Sequence, residues 1–109
     1  MKYLVLLSMF AASLVHSSAV SHVVVTDILT GPHYGNNVLI QVDRTSENLP
    51  YCQDSASYSY VFDGTTPSGK MVFNMVMESY SQGMEIYIVG SDTCDLYGNI
   101  EDLKSLKLQ

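Results

Sequence analysis

One segment of the chain, Thr66 to Gly83, carries complete helix punctuation, and the segments around it have the pattern of strands and turns. Thr66 is placed to cap the first turn. Pro67 takes the first helical position, where a missing N–H costs nothing, and Gly83 stands where a helix commonly ends in a left-handed residue. The spacing predicts a helix from there to about Gln82. A single helix among strands has few architectural solutions, so its place in the strand order decides the fold.

Before the helix, residues 22–30, HVVVTDILT, are rich in β-branched side chains and form the first expected strand, ended by Gly31-Pro32 and a turn reaching Asn37. VLIQV at 38–42 is the second, with Val38, Ile40 and Val42 on one face and Leu39 and Gln41 on the other. A polar loop containing Pro50 runs from Asp43 to Ser55. SYSYVF at 57–62 alternates and makes a third strand. After the helix, MEIYIV at 84–89 turns Ile86 and Ile88 toward the core. GSDTCDLYGN, 90–99, is a loop, and LKSLKL, 103–108, is a last strand with Leu106 and Leu108 on one side. The expected order is β-β-β-α-β-β. That is the connectivity of the OB-fold, a small mainly β barrel plugged at one end by its helix. An open α+β sheet with the helix laid across it fits the same pattern and stays as the alternative.

The helix is more apolar than one core requires. At 100° per residue, Lys70, Asn74, Glu78 and Ser81 fall within about 80°, while Val72, Phe73, Met75, Val76, Met77 and Tyr80 spread over roughly 240°. A helix covering one core uses an apolar stripe of about 100° or somewhat more. The excess, represented by Val72, Met75 and Met77, predicts contact with a second subunit.

Residues 1–19 place one basic side chain, Lys2, before an apolar run from Tyr3 to Val15 that meets the small residues Ser17, Ser18 and Ala19. This is the layout of a secretory signal peptide, with an apolar centre too short to span a bilayer. Cleavage is expected after Ala19, with the bond after Ser21 as second choice, leaving residues 20–109 as one domain. With no second apolar run of spanning length, the expected location is secreted or periplasmic. An oxidising compartment in turn predicts a disulfide between the only two cysteines, Cys52 and Cys94. In the chain-entropy model such a loop closure stabilises by roughly 4 kcal/mol. Zinc is the competing reading, but no His lies near Cys52 in sequence, and no metal is expected.

The chain has 11 acidic residues against 5 basic ones and a formal net charge of −6. Losing the leader would remove Lys2 and no acid, leaving Arg44, Lys70, Lys104 and Lys107. Four cations do not build a phosphate-binding surface, so nucleic acid is not an expected partner. Catalysis finds no support either. His22 and His33 are the only histidines beyond the leader, no Gly-x-Ser-x-Gly elbow accompanies them, and neither enzyme chemistry nor a cofactor is expected. The acidic run Asp92, Asp95, Glu101 and Asp102 departs from the EF-hand because Thr93 stands five residues before Gly98, where an acid is required, and it reads as a solvated loop. Tyr80 is expected to pack along the helix. Tyr34 and Tyr97, in turns rich in Gly and Asn, are expected to be exposed and to touch a ligand, since a phenol offers a ring face and a hydroxyl.

Three stretches carry a resemblance: SHVVVTDILTG at 21–31, the pair Tyr51-Cys52, and MVMESYSQGMEIYIV at 75–89 read with Cys94 downstream. On these the chain resembles the B subunits of the subtilase cytotoxin and its relatives among the pentameric bacterial toxins, together with many short secreted bacterial proteins. The resemblance implies an OB-fold subunit that assembles into a ring through edge strands, helices around a central pore, and binds sialylated glycans of host cells. It assigns ligand contact to a serine at the start of the first strand, which falls on Ser21, and to a tyrosine that falls on Gly90 or its neighbour. The expected protein is therefore a non-enzymatic binding module, a homo-oligomer recognising a cell-surface glycan or protein, with an enzymatic toxin subunit as a further partner. A monomeric accessory or inhibitor protein gripping a protein partner is the second class.

Overall fold

The computed structural model describes residues 18–109. The expected leader therefore lies outside the described residues except for Ser18 and Ala19. The chain forms β1 (Ala19–Val23), β2 (Val25–Leu29), a short 3-10 turn (Pro32–Tyr34), β3 (Asn37–Val42), β4 (Tyr60–Asp63), α1 (Pro67–Gln82), β5 (Ile86–Gly90) and β6 (Glu101–Leu108). It is mainly β with one helix. Four strands precede the helix rather than the expected three, because the first strand is broken in two.

The break has a local cause. The pairing of β1 with β5 slips between Val20 and Val23, and His22 sits there at φ 55°, a left-handed conformation uncommon for a side chain of its size. Val24 then leaves that ladder and faces Asp43. Its N–H donates to Asp43 Oδ1 at 3.0 Å, and the Asp43 N–H donates back to its carbonyl at 3.0 Å. The re-aimed chain continues as β2 against β3.

A six-stranded sheet results, in the order β1-β5-β6-β4-β3-β2. Every neighbouring pair is antiparallel except β4 and β6, which run parallel. The two ends of this order, β1 and β2, are consecutive in the chain and separated by Val24 alone. Val38, Ile40 and Val42 face the main core with Phe62, Ile86 and Ile88, as the alternation predicts. The opposite face is also used. Leu39, Val61 and Ile100 form a second buried cluster under Leu29 and three tyrosines, so the middle strands are covered on both sides.

Three later strands start two or three residues from where expected, β5 at Ile86 rather than Met84 because Gly83 and the two residues after it leave the helix before pairing begins. β4 starts at Tyr60 rather than Ser57, because Ser55 Oγ accepts from the amides of Ser57 (3.3 Å) and Tyr58 (3.2 Å), and Gln53 Nε2 donates to the Tyr58 carbonyl (3.0 Å). The loop holds its own backbone instead of the sheet. β6 starts at Glu101, and its register with β5 slips beside Gly90. That slip lets Leu103 and Leu106 both pack on the core, while Leu108 is exposed.

The helix boundaries match the punctuation. Thr66 Oγ1 accepts from the Gly69 N–H at 2.9 Å, and Gly83, at φ 67°, returns its N–H to the Ser79 carbonyl at 2.9 Å. Just upstream Asp63 accepts from the hydroxyl (2.6 Å) and amide (2.8 Å) of Thr65, which hold its carboxyl below the ordinary carboxylate range. Val76 is fully buried. Ser79, also fully buried, accepts the Val25 N–H at 2.9 Å and so ties the helix to the start of β2. Tyr80 departs from its expected packing role and is 52% exposed.

Candidate functional site

The loop after β3 and the loop between β5 and β6 are joined covalently. Cys52 and Cys94 form a disulfide with their Cα atoms 6.0 Å apart. Beside it the Asp54 amide donates to the Asn99 carbonyl (2.9 Å) and the Glu101 amide donates to Gln53 Oε1 (2.7 Å), so the two loops are zipped along several residues. The β3–β4 loop is thereby held against the body of the sheet.

That loop forms one wall of a cleft of about 390 Å³ whose other wall is β1. Ser21 lines it from the irregular part of β1, and Arg44, Thr45, Ser46, Glu47 and Asn48 line it from the loop. Its sides are rich in hydroxyl, amide and charged groups. The Arg44 guanidinium donates through one amino group to the Ser21 carbonyl, which leaves further N–H groups of its planar fork available. Ser46 is buried and its hydroxyl accepts the Asn48 amide at 3.1 Å, which fixes the loop's curvature. Thr45 and Ser46 also border a second, smaller hollow of about 80 Å³ that runs under the loop toward Leu49 and Tyr58.

Of the expected ligand-contacting residues, Ser21 lies in this cleft and Tyr34 and Tyr97 do not. The two tyrosines do meet each other. Tyr34 from the 3-10 turn and Tyr97 from the β5–β6 loop place their rings 6.1 Å apart, and both pack half-buried on the cluster of Leu39, Val61 and Ile100. His33 stacks edge-on against Tyr34 at 5.0 Å. Their burial makes them a lid on the second cluster rather than two free side chains. His22 lies on the exposed side of β1 with Nδ1 3.2 Å from Glu85 Oε2.

Arg44, Ser46 and Asn48 were not singled out by sequence. The available signal was that Arg44 is one of four cations beyond the leader and sits in the polar loop that delivers Cys52. The expected subunit-contact residues divide. Val72 packs on the main core, Met75 is half-buried, and Met77 is 39% exposed. Met77 belongs to a stripe at helical spacing, Phe73, Met77 and Tyr80, of which the last two are exposed, and Met84, also exposed, follows the helix beyond its Gly83 cap.

The acidic run divides: Asp92 and Asp95 are exposed in the β5–β6 loop, as expected, whereas Glu101 and Asp102 open β6 and are not solvated. Glu101 is 0% exposed and Asp102 is buried. Asp102 organises the loop before it, accepting from Thr93 Oγ1 (2.8 Å) and from the amides of Asp95 (2.8 Å) and Leu96 (3.0 Å). Glu101 accepts from Ser18 Oγ and from the Asp92 amide (2.8 Å), and the Tyr60 hydroxyl donates to the Ser18 carbonyl (2.8 Å). Burial pushes the Glu101 carboxyl above its ordinary range and, with Glu101 nearby, the Tyr60 phenol well above its own. Gly90 makes room for this cluster. A Cβ there would collide with the Glu101 carboxyl and Ser18 Oγ, so a tyrosine at Gly90 has no place in this arrangement.

Among the described residues, no helix is long and apolar enough to cross a membrane. Comparison of the chain with protein-family models, with curated proteins and with solved structures finds no match.

Proposed function

We propose that this protein is a secreted, non-enzymatic binding subunit of the OB-fold type that recognises an acidic glycan in the cleft between β1 and the β3–β4 loop and works as a ring-like oligomer. The cleft carries the reading. It is open, rich in polar groups and lined by Ser21 and Arg44, whose guanidinium fork suits the planar carboxylate of a sialic acid. Hydroxyl and amide groups of Thr45, Ser46 and Asn48, with the Glu47 carboxylate as an acceptor, suit the hydroxyls of a sugar. Ser21 is also the position to which the likeness to toxin B subunits assigns ligand contact.

The fold reading rests on strand order. Counted as one bent strand, β1 and β2 link the two ends of the sheet, and the sequence becomes three strands, a helix and two strands with the third beside the fifth, the arrangement of an OB barrel. The disulfide favours an oxidising compartment after export. The exposed Met77 and Tyr80 of the helix, with Met84 just beyond its end, favour a helix that meets neighbouring subunits.

A glycan array probed with the exported protein tests the ligand class. Binding to sialylated glycans and not to their desialylated forms is the expected result. An array without sialylated hits removes the glycan reading and leaves the monomeric protein-binding accessory as the surviving class.

A further inference from the structure

The Glu101 carboxyl is completely buried, yet among the described residues no Lys, Arg or His side chain lies within ion-pairing distance of it. The charged groups that face it make matters worse. Asp92 comes from the β5–β6 loop and Asp102 from its own strand, both acidic, while β4 contributes the Tyr60 phenol and β5 contributes uncharged Gly90. A buried carboxylate without a cation is costly, and natural folds seldom retain one without a partner. What it does hold is the hydroxyl of Ser18, a residue that is itself fully buried, with its carbonyl engaged by the Tyr60 hydroxyl and, at 3.4 Å, by the Gly90 amide.

Ser18 also stands among the small residues, Ser17 to Ala19, that close the leader pattern. The bond between Ser17 and Ser18 has small Ser17 immediately before it and Val15 two residues further back, side chains that shallow signal-peptidase pockets accept. Cleavage after Ala19 would instead delete Ser18 and strip the Glu101 carboxyl and the Tyr60 hydroxyl of hydrogen-bond partners inside the protein. Cleavage after Ser21 would remove most of β1.

We infer that the leader is removed between Ser17 and Ser18, and that the new α-ammonium of Ser18 is the counter-ion of the buried Glu101 carboxylate. The inference rests on the reading of the protein as exported. A signal peptidase adds water across the bond. The carbonyl carbon of Ser17 takes the hydroxyl oxygen and leaves as a carboxylate, and the nitrogen of Ser18 is released and protonated. That nitrogen is three covalent bonds from the Oγ already held by Glu101, so charge is created beside charge without moving the strand. The fold gains its counter-ion only when the leader is gone.

The pairing has a defined pH signature. An ordinary α-ammonium has a pKa of about 7.7–8.0, and a carboxylate partner raises it in the folded state. Its contribution is therefore complete below that ordinary range and is lost as pH rises through the raised folded value. In a chain whose Ser18 nitrogen remains in a peptide bond, Glu101 alone governs. Its raised pKa means stability is complete below the ordinary carboxyl range and falls as pH rises through the folded value.

The test begins with the full chain, leader included, expressed in a bacterium that exports it, and the intact mass of the recovered product. A product beginning at Ser18 is expected. One beginning at Val20 or His22 overturns the inference, and an uncleaved product overturns both it and the exported reading. The second measurement introduces Glu101→Gln into the Ser18-terminated chain and into a refolded chain with one extra residue before Ser18, and compares urea midpoints at pH 7. The substitution is expected to lower the midpoint of the first and to raise or leave unchanged that of the second. Equal shifts in both overturn the ion pair. A glycan array without hits, beside a Ser18 terminus and opposite shifts, defeats the ligand reading and leaves this inference standing.

Discussion

At the residue scale the structure turns on positions whose chemistry a sequence pattern disguises. Glu101 and Asp102 sit in an acidic run that looks solvated, and both are buried because each carboxylate collects hydrogen bonds from a neighbouring loop. Nothing in their spacing announces that, since the donors are backbone amides and the hydroxyls of Ser18 and Thr93. Gly90 is the counterpart on β5, and it was legible only as a turn-former after a strand. Replacing it with alanine drives a methyl group into the Glu101 carboxyl and Ser18 Oγ, both buried and hydrogen-bonded to each other. Gly90→Ala is predicted to destabilise the fold by about 2–3 kcal/mol, the upper part of the range for overpacking, as read from urea unfolding. A change within experimental error would show that Glu101 does not lie against β5.

At the scale of elements, the helix was legible to within a residue or two because its signals are local. Thr66 and Pro67 fix its start, Gly83 its end, and Val76 its buried side. Which of its apolar residues would be spared by the core was not legible. Val72 and Tyr80 both lie in the wide apolar arc, and only the approach of β2 and β6 decides that Val72 is covered and Tyr80 is not. Ser79 shows the same limit more sharply. It was one serine among many, and it proves to be the side chain that receives the Val25 amide where β2 begins. Ser79→Ala leaves that buried N–H without an acceptor and is predicted to cost about 1–3 kcal/mol in urea unfolding. Hydrogen exchange at the Val25 amide should accelerate with it, and unchanged protection there would mean that the amide finds another partner.

The split of the first strand belongs to this scale too. HVVVTDILT reads as one strand by composition, and its β-branched residues do form strand on both sides of the break. The break itself depends on partners far away in sequence, β5 for the first half and β3 for the second. Periodicity within a segment carries no information about such a change of partner.

At the scale of the whole molecule, the disulfide was legible from two cysteines and an export pattern, and the structure closes it between the β3–β4 loop, which walls the cleft, and the β5–β6 loop. Replacing both cysteines with serine is predicted to cost about 4 kcal/mol of stability by the loop-entropy argument, and to lower the thermal midpoint measured by calorimetry. An unchanged midpoint would mean that the hydrogen bonds of Gln53 and Asp54 alone keep the loops together. The proposed assembly is tested by the exposed methionines of the helix. Light scattering of the wild-type protein at micromolar concentration should give a multiple of the chain mass, and Met77→Glu should return it to the monomer by placing a charge in the contact. A wild-type monomer would remove the ring.

The cleft was only half legible. Ser21 was found through likeness to toxin B subunits, whereas Arg44 comes beside it only because the β3–β4 loop folds back across β1. Together, in the proposed function, they bind a carboxylated sugar. Calorimetric titration of the exported protein with sialyllactose and with lactose, repeated with Arg44→Ala, tests it most directly. Saturable binding of sialyllactose alone is expected, with an affinity loss of roughly tenfold or more in the variant, the cost of about 1.5–3 kcal/mol for a lost charge-assisted hydrogen bond. Equal behaviour of the two sugars, or of the two proteins, would contradict it.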